Sequence, residues 1–261
     1  MDVSTGLTVL GAAIGSAKVV EKILGPTSEY LGDGLKNWTE RRVTNVGRIF
    51  ENAKKRLGGK IDENGAVPPK VLKAILDDGS FCDDELAAEY FGGVLASSRT
   101  EVSRDDRGAS ITALVGRLTT YQIRSHYLFY SVVKNVFDGN NILTSNTFTD
   151  RSRLETFISY ESYIAGMEFS EGEDIGNILS HVMFGLDREK LIENKFEFGA
   201  TEKIKKFGSG GIVFIPSTLG IELFLWAHGE GNVPVHKFLE STNIFTSETN
   251  IPIVGNFKAT H

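Results

Sequence analysis

Histidine, cysteine and carboxylate side chains are the groups from which a catalytic or metal-binding site would be built, because they supply nucleophiles, proton carriers and metal ligands. The sequence has a single cysteine, Cys82, and five histidines: His126, His181, His228, His236 and His261. None of them has the spacing of a zinc site, and the acidic clusters at residues 83–85 and 105–106 lie where capping residues of helices are expected. The sequence also lacks the glycine-rich phosphate-binding motifs and the nucleophile elbow. We therefore expect no metal, no cofactor and no catalytic residue, in a protein that is not an enzyme.

Arg42 and Asn45 lie on the apolar side of a long predicted helix. Apolar residues recur there at helical spacing, and the glycines at 58 and 59 are typical of a helix end. The apolar positions are Leu31, Leu35, Trp38, Val46, Ile49, Ala53 and Leu57. Arg42 projects onto the centre of this face and Asn45 onto its edge. Because a buried charge needs a partner, Arg42 either pairs with an acidic residue of the following helices, extends to the surface, or binds a ligand or partner with Asn45.

A second group of candidate binding residues, Lys203, Lys205 and Lys206, precedes a glycine-rich turn at residues 208–211. A short helix, a strand, a glycine turn, a second strand and a helix follow one another here, as in a winged-helix module. The predicted hairpin pairs residues 196–201 with 212–215, and the second helix of the module is predicted at residues 186–195. In a DNA-binding module the three lysines are the candidate phosphate contacts, because this helix carries acidic as well as basic side chains.

The remaining patterns predict a mainly α-helical chain. Helices are predicted at residues 70–76, 83–98, 109–118, 119–137, 154–167, 175–184 and 218–226. We predict an apolar N-terminal extension over residues 1–25 and a helical domain over residues 26–138. A winged-helix-like α+β domain with a small β-hairpin is predicted over residues 151–231. The C-terminal tail, residues 232–261, is predicted to lie along the surface.

Charge and cysteine content bear on the setting of the protein. The net charge is −6, and residues 1–60 carry +4 whereas residues 61–110 carry −6. Binding of duplex DNA depends on a basic surface, so this composition disfavours it. A single cysteine is typical of a reducing compartment, and no secretory signal is recognisable. These features predict a cytoplasmic location.

The segment of residues 3–24 is rich in small and aliphatic residues, and residues 6–17 carry no charge. Spanning a bilayer takes about 20 apolar residues, so this run is too short for a membrane-spanning helix. The pattern predicts a helix docked on the core. Contact with a membrane or a partner protein is the alternative.

Several segments resemble the abortive-infection alpha (Abi-alpha) family of bacterial proteins. They are ILGPTSEYLGDGL with the following RRVTNVGRIFENAKKRL, VPPKVLKAILDDGSFCDDELAAEYFGGVLASS, ITALVGRLTTYQIRSHYL, REKLIENKFE and IVFIPSTLGIELF. The ILGPT start and the spacing of Arg42 and Asn45 are the distinctive parts, and the likeness extends over residues 22–226. The resemblance implies a prokaryotic protein of anti-phage defence. It implies no enzymatic role for any residue, and it does not extend to the apolar extension or to the tail.

Three hypotheses about function follow. The first is a non-enzymatic bacterial defence protein of the abortive-infection type that acts through protein–protein contacts. The second is a DNA-binding winged-helix regulator that uses the three lysines. The third is a membrane-active effector that uses residues 3–24. The sequence identifies neither the protein partner nor the oligomeric state.

Overall fold

The computed structural model describes residues 22, 40–101, 104–137, 147–201, 204, 207–240 and 257–260. Within these ranges the chain forms nine α-helices and one four-stranded antiparallel sheet, which confirms the mainly α-helical class. The helices are α1 (Glu40–Leu57), α2 (Pro69–Ala74), α3 (Glu85–Ser97), α4 (Arg107–Arg117), α5 (Thr120–Phe137), α6 (Phe148–Ser152), α7 (Tyr160–Met167), α8 (Ile175–Arg188) and α9 (Thr218–Ala227). The strands are β1 (Thr156–Ser159), β2 (Glu197–Gly199), β3 (Gly211–Phe214) and β4 (Phe257–Ala259).

None of the helices in the described ranges combines the length and the apolar character needed to cross a membrane. The candidate membrane-contacting segment, residues 3–24, lies outside the described residues except for Lys22. The hypothesis of a membrane-active effector therefore stays a prediction.

The chain forms two compact units. The first comprises residues 1–117 and 226–232, and the second comprises residues 118–225 and 233–261. The domain limits predicted above, 26–138 and 151–231, stay predictions. Helix α5, which those limits assign to the helical domain, belongs to the second unit.

In the first unit, α1 packs against α3. The apolar positions Val46, Ile49, Ala53 and Leu57 of α1 are buried, as its periodicity predicts. Helix α3 is buried along nearly its whole length, from Leu86 to Ser97, because it lies at the centre of this unit. The α1–α3 core therefore rests on the apolar stripe that the sequence indicates.

Helix ends in the first unit follow the capping chemistry of the sequence. Pro69 occupies the first turn of α2, where its missing N–H leaves no helical bond unmade. The Asp84 carboxylate accepts a hydrogen bond of 2.8 Å from the Ala87 N–H and caps α3. Between these two helices, residues Ile75–Gly79 form a single π-helical turn. This turn carries the chain from α2 into the loop that faces α1.

In the second unit, α5 packs against the sheet, whose strand order is β2-β3-β1-β4. Strand β3 pairs with β1 in the register Phe157↔Val213 and with β2 in the register Phe198↔Ile212. The ring of Phe129 on α5 stacks on Phe214 of β3 with centroids 4.4 Å apart. The aromatic residues Tyr127, Phe129, Tyr130 and Phe137 of α5 are buried, whereas Tyr121 is half-buried.

The predicted helix at residues 154–167 is wrong in its first half. Residues Thr156–Ser159 form strand β1, which is fully buried because it has a neighbouring strand on each side. The helix begins only at Tyr160, where the Ser159 hydroxyl accepts a hydrogen bond from the Ser162 N–H. A short apolar run has no periodicity that distinguishes a buried strand from a buried helix.

The predicted second helix at residues 186–195 is also wrong. Helix α8 continues without a break through residues 185 and 186 and ends at Arg188. Lys190 then adopts the left-handed conformation with φ of 59°, which directs the chain out of the helix and towards β2. The predicted hairpin is confirmed, because β2 pairs with β3 in antiparallel fashion.

The prediction that the tail lies along the surface is wrong for two parts of it. The Phe238 side chain is fully buried, with its ring 5.8 Å from that of Phe224. The buried Lys134 ammonium donates a 2.9 Å hydrogen bond to the Phe238 carbonyl oxygen. Residues Phe257–Ala259 form β4, which pairs with β1. The tail thus supplies both core and sheet to the second unit.

Candidate protein-interaction surface

Three phenylalanine rings meet at one edge of the sheet in the second unit: Phe184 of α8, and Phe196 and Phe198 in and before β2. The Phe184 centroid lies 5.8 Å from that of Phe196 and 6.1 Å from that of Phe198, both in edge-to-face geometry. Phe196 and Phe198 lie nearly parallel, with centroids 6.3 Å apart. Phe184 is 61% exposed and the other two are half-buried. We call this group the aromatic surface.

The helical period of α8 explains why Phe184 is exposed. The buried side of this helix is formed by Leu179, Val182, Met183 and Leu186. Phe184 lies on the opposite side together with the exposed His181 and Arg188. A large aromatic ring in the middle of an exposed helix face gains little from folding, because most of its surface stays in water. Its position is therefore not explained by the core, and together with Phe196 and Phe198 it forms a candidate contact surface.

The aromatic surface lies beside an edge strand. Within the described part of the sheet, β2 has β3 as its one neighbouring strand. An edge strand presents backbone N–H and C=O groups to which a further strand can bind. Glu197, between the two phenylalanines, is exposed. The edge thus combines backbone hydrogen-bonding groups, aromatic rings on one side and charge on the other.

Two ion pairs hold the segment that leads into β2. The Arg151 guanidinium contacts the Glu193 carboxylate through Nε and Nη2, each 2.7 Å from Oε1, and both side chains are largely buried. The Lys195 ammonium donates to Glu155 Oε1 at 3.1 Å. The Glu193 N–H also bonds to the Ile215 carbonyl at 2.9 Å, so the segment stays close to the end of β3. These contacts hold the chain before Phe196 and so position its side chain at the edge of the sheet.

A small groove lies on the same unit between the start of α5 and α8. It has a volume of about 460 Å³ and is lined by Thr119, Thr120, Tyr121, Asn177, Ile178 and His181. The Tyr121 hydroxyl donates a hydrogen bond to Glu173, which raises the pKa of the phenol. The Gln122 amide lies 3.4 Å from Nε2 of His181. Tyr121 and His181, which line the groove, already contact Glu173 and Gln122, so we do not assign a ligand to the groove.

Arg42 and Asn45 lie in the first unit, where α1 faces the loop after the π-helical turn. The half-buried Arg42 donates from Nε to Ser80 Oγ at 3.3 Å, and its guanidinium lies 4.0 Å from the centre of the Phe81 ring. The buried Asn45 side chain donates to the Ser80 carbonyl at 3.1 Å and to Asp83 Oδ1 at 3.0 Å. The two residues therefore fasten the 80–83 loop to α1. Whether they also bind a ligand or partner stays a prediction.

Lys203, Lys205 and Lys206 lie outside the described residues, so their role as phosphate contacts stays a prediction. Across the ranges that the structure describes, no group of three or more histidine, cysteine, aspartate or glutamate side chains could hold a metal ion. Cys82 is half-buried, and burial raises the pKa of its thiol to about 11. At neutral pH very little of it is thiolate, and the thiolate is the nucleophilic form.

His126 lies on α5 and its side chain is fully buried. Its Nε2 lies 3.0 Å from the Gly220 carbonyl oxygen, to which the neutral ring donates its proton. Burial lowers the pKa of the imidazole from 6.5 to about 3, because the charged form is poorly solvated there. A neutral, fully enclosed histidine supports the core and is a poor proton carrier.

This burial makes the stability of the protein depend on pH. Between pH 6.5 and 3 the unfolded chain binds a proton at His126 that the folded chain does not, so stability falls as the pH is lowered through this range. We expect the free energy of unfolding to be about 2 kcal/mol lower at pH 5 than at pH 8. Urea unfolding at several pH values measures this slope. In a His126→Gln variant, which is less stable at every pH, the part due to His126 should disappear, and an unchanged slope would contradict the assignment.

Sequence reasoning missed the aromatic surface. It recognised the stretch around residues 196–198 as one side of a hairpin but gave no role to Phe184. The helical period could have indicated that Phe184 is exposed, because Phe184 does not lie on the apolar face formed by Leu179, Val182 and Leu186. The proximity of Phe184 to Phe198 depends on the turn at Lys190, which the predicted helix at 186–195 did not allow.

The chain was compared with protein-family models, with curated proteins and with solved structures. No family model, no curated protein and no solved structure matches it.

Proposed function

We propose that this chain is a non-enzymatic bacterial anti-phage defence protein of the abortive-infection type that acts through protein–protein contacts. The resemblance of the segments quoted above to the Abi-alpha family supports the biological setting. The observation that carries the mode of action is the aromatic surface. It presents Phe184, at 61% exposure, beside the edge strand β2.

Aromatic residues dominate the energetics of protein interfaces, because they bury a large area with few rotatable bonds. In this chain the three rings already contact one another at 5.8–6.3 Å, so little side-chain freedom remains to be lost on binding. The adjacent strand edge adds backbone hydrogen bonds with defined direction. A protein that offers an extended segment fits both features.

The order β1, α7, α8, β2 and β3, with β3 paired to both other strands, supports the winged-helix-like arrangement proposed for residues 151–231. In such a module the second helix enters the DNA groove through its exposed face. Here that helix is α8, and its exposed face carries Phe184 at its centre, with Arg188 at its end. An exposed phenylalanine supports a protein partner over DNA, since affinity for DNA depends on phosphate contacts.

A phage-protection assay tests the proposal. Cells that produce the wild-type chain should survive infection, and a Phe184→Ser variant should lose roughly tenfold or more of this protection because an interface anchor is removed. The matched control is Phe148→Ser, because Phe148 is 48% exposed on α6 and makes no part of the aromatic surface. Equal cellular amounts and equal melting temperatures must accompany the comparison.

Two results would contradict the proposal. If the wild-type chain gives no protection against any phage of a broad panel, the defence setting is wrong. If Phe184→Ser protects as well as the wild type, the aromatic surface is not the part of the protein through which it acts.

A further inference from the structure

The edge strand β2 and its neighbouring residues carry a charge pattern that can pair with itself. Lys195, Phe196 and Glu197 follow one another in the sequence, and Lys195 and Glu197 are both exposed. Alternation along an extended chain places Lys195 and Glu197 on one side and Phe196 with Phe198 on the other. The contacts of Phe196 and Phe198 with Phe184 agree with this assignment.

We propose that the aromatic surface binds a second copy of this chain, through antiparallel pairing of residues 195–199, which include β2, with their counterparts. The proposal rests on the protein-contact function proposed above and names the partner.

Two identical antiparallel strands that are related by a two-fold axis perpendicular to the sheet present the same side chains on the same face of the joined sheet. Directly opposite residues share a side, so only residues of the same alternation can face each other. Four centres of symmetry are then available over β2 and the residue before it: Phe196, Glu197, Phe198 and Gly199. A pairing centred on Glu197 sets two carboxylates opposite each other, which is unfavourable. A pairing centred on Phe198 sets both charged residues opposite uncharged ones, and one centred on Gly199 sets Glu197 opposite Thr201, so neither forms an ion pair of Lys195 with Glu197.

A pairing centred on Phe196 satisfies both sides of the strand. It sets Lys195 of each copy opposite Glu197 of the other and so forms two ion pairs. It also sets the two Phe196 rings opposite each other, next to Phe184 and Phe198 on the same side. Lys195 already donates one hydrogen bond to Glu155, yet its side chain is 64% exposed and has further donors for a second carboxylate.

The pairing also explains why the edge is charged on only one side. Edge strands that must stay alone usually carry charges that repel a further strand. Here the two charges are of opposite sign and are spaced by two residues, so they attract an antiparallel copy. The aromatic side would be covered in the same step, which removes the exposed ring of Phe184 from water.

The test is the oligomeric state of the full chain, measured by light scattering after size exclusion and by sedimentation from micromolar concentration upwards. The wild type should sediment as two copies of the 28.6 kDa chain. Lys195→Glu and Glu197→Lys should each weaken the dimer by roughly tenfold or more, because each sets like charges opposite each other at both pairs. Glu161→Lys, on the exposed side of α7, makes the same charge change and should leave the dimer intact.

Mixing the two single variants is the decisive step. One then carries glutamate at both positions and the other lysine at both, so the mixture should form a heterodimer with affinity near that of the wild type. The double variant Lys195→Glu with Glu197→Lys should also dimerise. If Glu197→Lys is poorly folded, the double variant still tests the register. If Lys195→Glu is poorly folded because it sets a second carboxylate beside Glu155, Glu197→Lys alone tests it.

Each remaining outcome overturns the proposal. A wild type that stays monomeric overturns it, including the case in which a different protein or another segment of the same chain covers β2. Single variants that dimerise like the wild type, or a mixture that stays monomeric, overturn the register. The phage assay with Phe184→Ser is independent of these results, so loss of protection with a monomeric wild type would refute self-pairing alone.

Discussion

Replacement of Gly220 by alanine is expected to lower the free energy of unfolding by about 3 kcal/mol, because an added methyl group has no room at this position. A Cβ atom there would lie 1.8 Å from the Tyr130 hydroxyl oxygen and 2.3 Å from the Leu191 carbonyl oxygen. Such contacts are impossible, so α5, α9 or the segment after α8 must move. Gly220 is thus the point of closest approach among these elements.

The displaced hydroxyl is itself part of the core. Tyr130 donates to the Leu191 carbonyl at 2.5 Å and accepts from the Ser217 N–H at 3.1 Å. Ser217 Oγ in turn accepts from the Gly220 N–H at 2.9 Å and caps α9. A buried donor or acceptor that loses its partner costs about 1–3 kcal/mol, so the steric effect and the hydrogen-bond effect act in the same direction.

Urea unfolding followed by far-ultraviolet circular dichroism measures the loss. Gly176→Ala is the matched control, because its Cβ would meet no atom closer than Asp174 Oδ1 at 3.5 Å. That variant should be stabilised by up to about 1 kcal/mol through helix propensity. Equal stability of Gly220→Ala and the wild type would show that the α5–α9 contact is looser than described.

Replacement of Gly93 by alanine is expected to have an effect at least as large in the first unit, about 3 kcal/mol or more. Its Cβ would lie 1.8 Å from the Ala227 carbonyl oxygen and 2.2 Å from the carbonyl carbon. Both atoms belong to the backbone, so no change of rotamer relieves the clash. Helix α3 would have to separate from the end of α9.

The change in stability of Gly93→Ala can be measured by thermal unfolding and by resistance to limited proteolysis. Gly59→Ala is the control, because its Cβ meets nothing within 4 Å and its backbone is in an ordinary conformation. A Gly93→Ala variant that melts with the wild type would refute the close contact of Gly93 with Ala227.

Much of the helical architecture follows from local chemistry. Three helices start at Pro69, Glu85 and Thr218, within two residues of the starts predicted at 70, 83 and 218. Pro69 lacks the N–H that would stay unbonded there, and Asp84 and Ser217 accept hydrogen bonds from free N–H groups of the first turn. The buried stripe of α1 likewise follows from its period. These signals are local, so they do not depend on how distant segments pack.

Other parts of the fold depend on contacts that one sequence does not reveal. The segment that forms β1 was predicted as part of a helix. Its strand conformation depends on pairing with β3 and β4, which come from the distant residues 211–214 and 257–259. The period of α1 locates Arg42 on the apolar side, but it does not reveal that its Nε contacts Ser80 and its guanidinium lies over Phe81. The aromatic surface joins rings from α8 and β2 in the same way, through a turn at Lys190 that propensity alone does not predict.

The burial of Phe238 bears on how this chain could be divided for experiments. A fragment that ends at residue 231 would keep β1, β2 and β3 but would lose the ring that packs edge-on to Phe224 and the carbonyl that accepts from Lys134. Burial of a phenylalanine contributes about 1.5–3 kcal/mol, and loss of the buried hydrogen bond from Lys134 adds a further penalty. The recombinant unit suited to crystallisation or binding studies therefore includes the residues after 232, although their sequence resembles a dispensable tail.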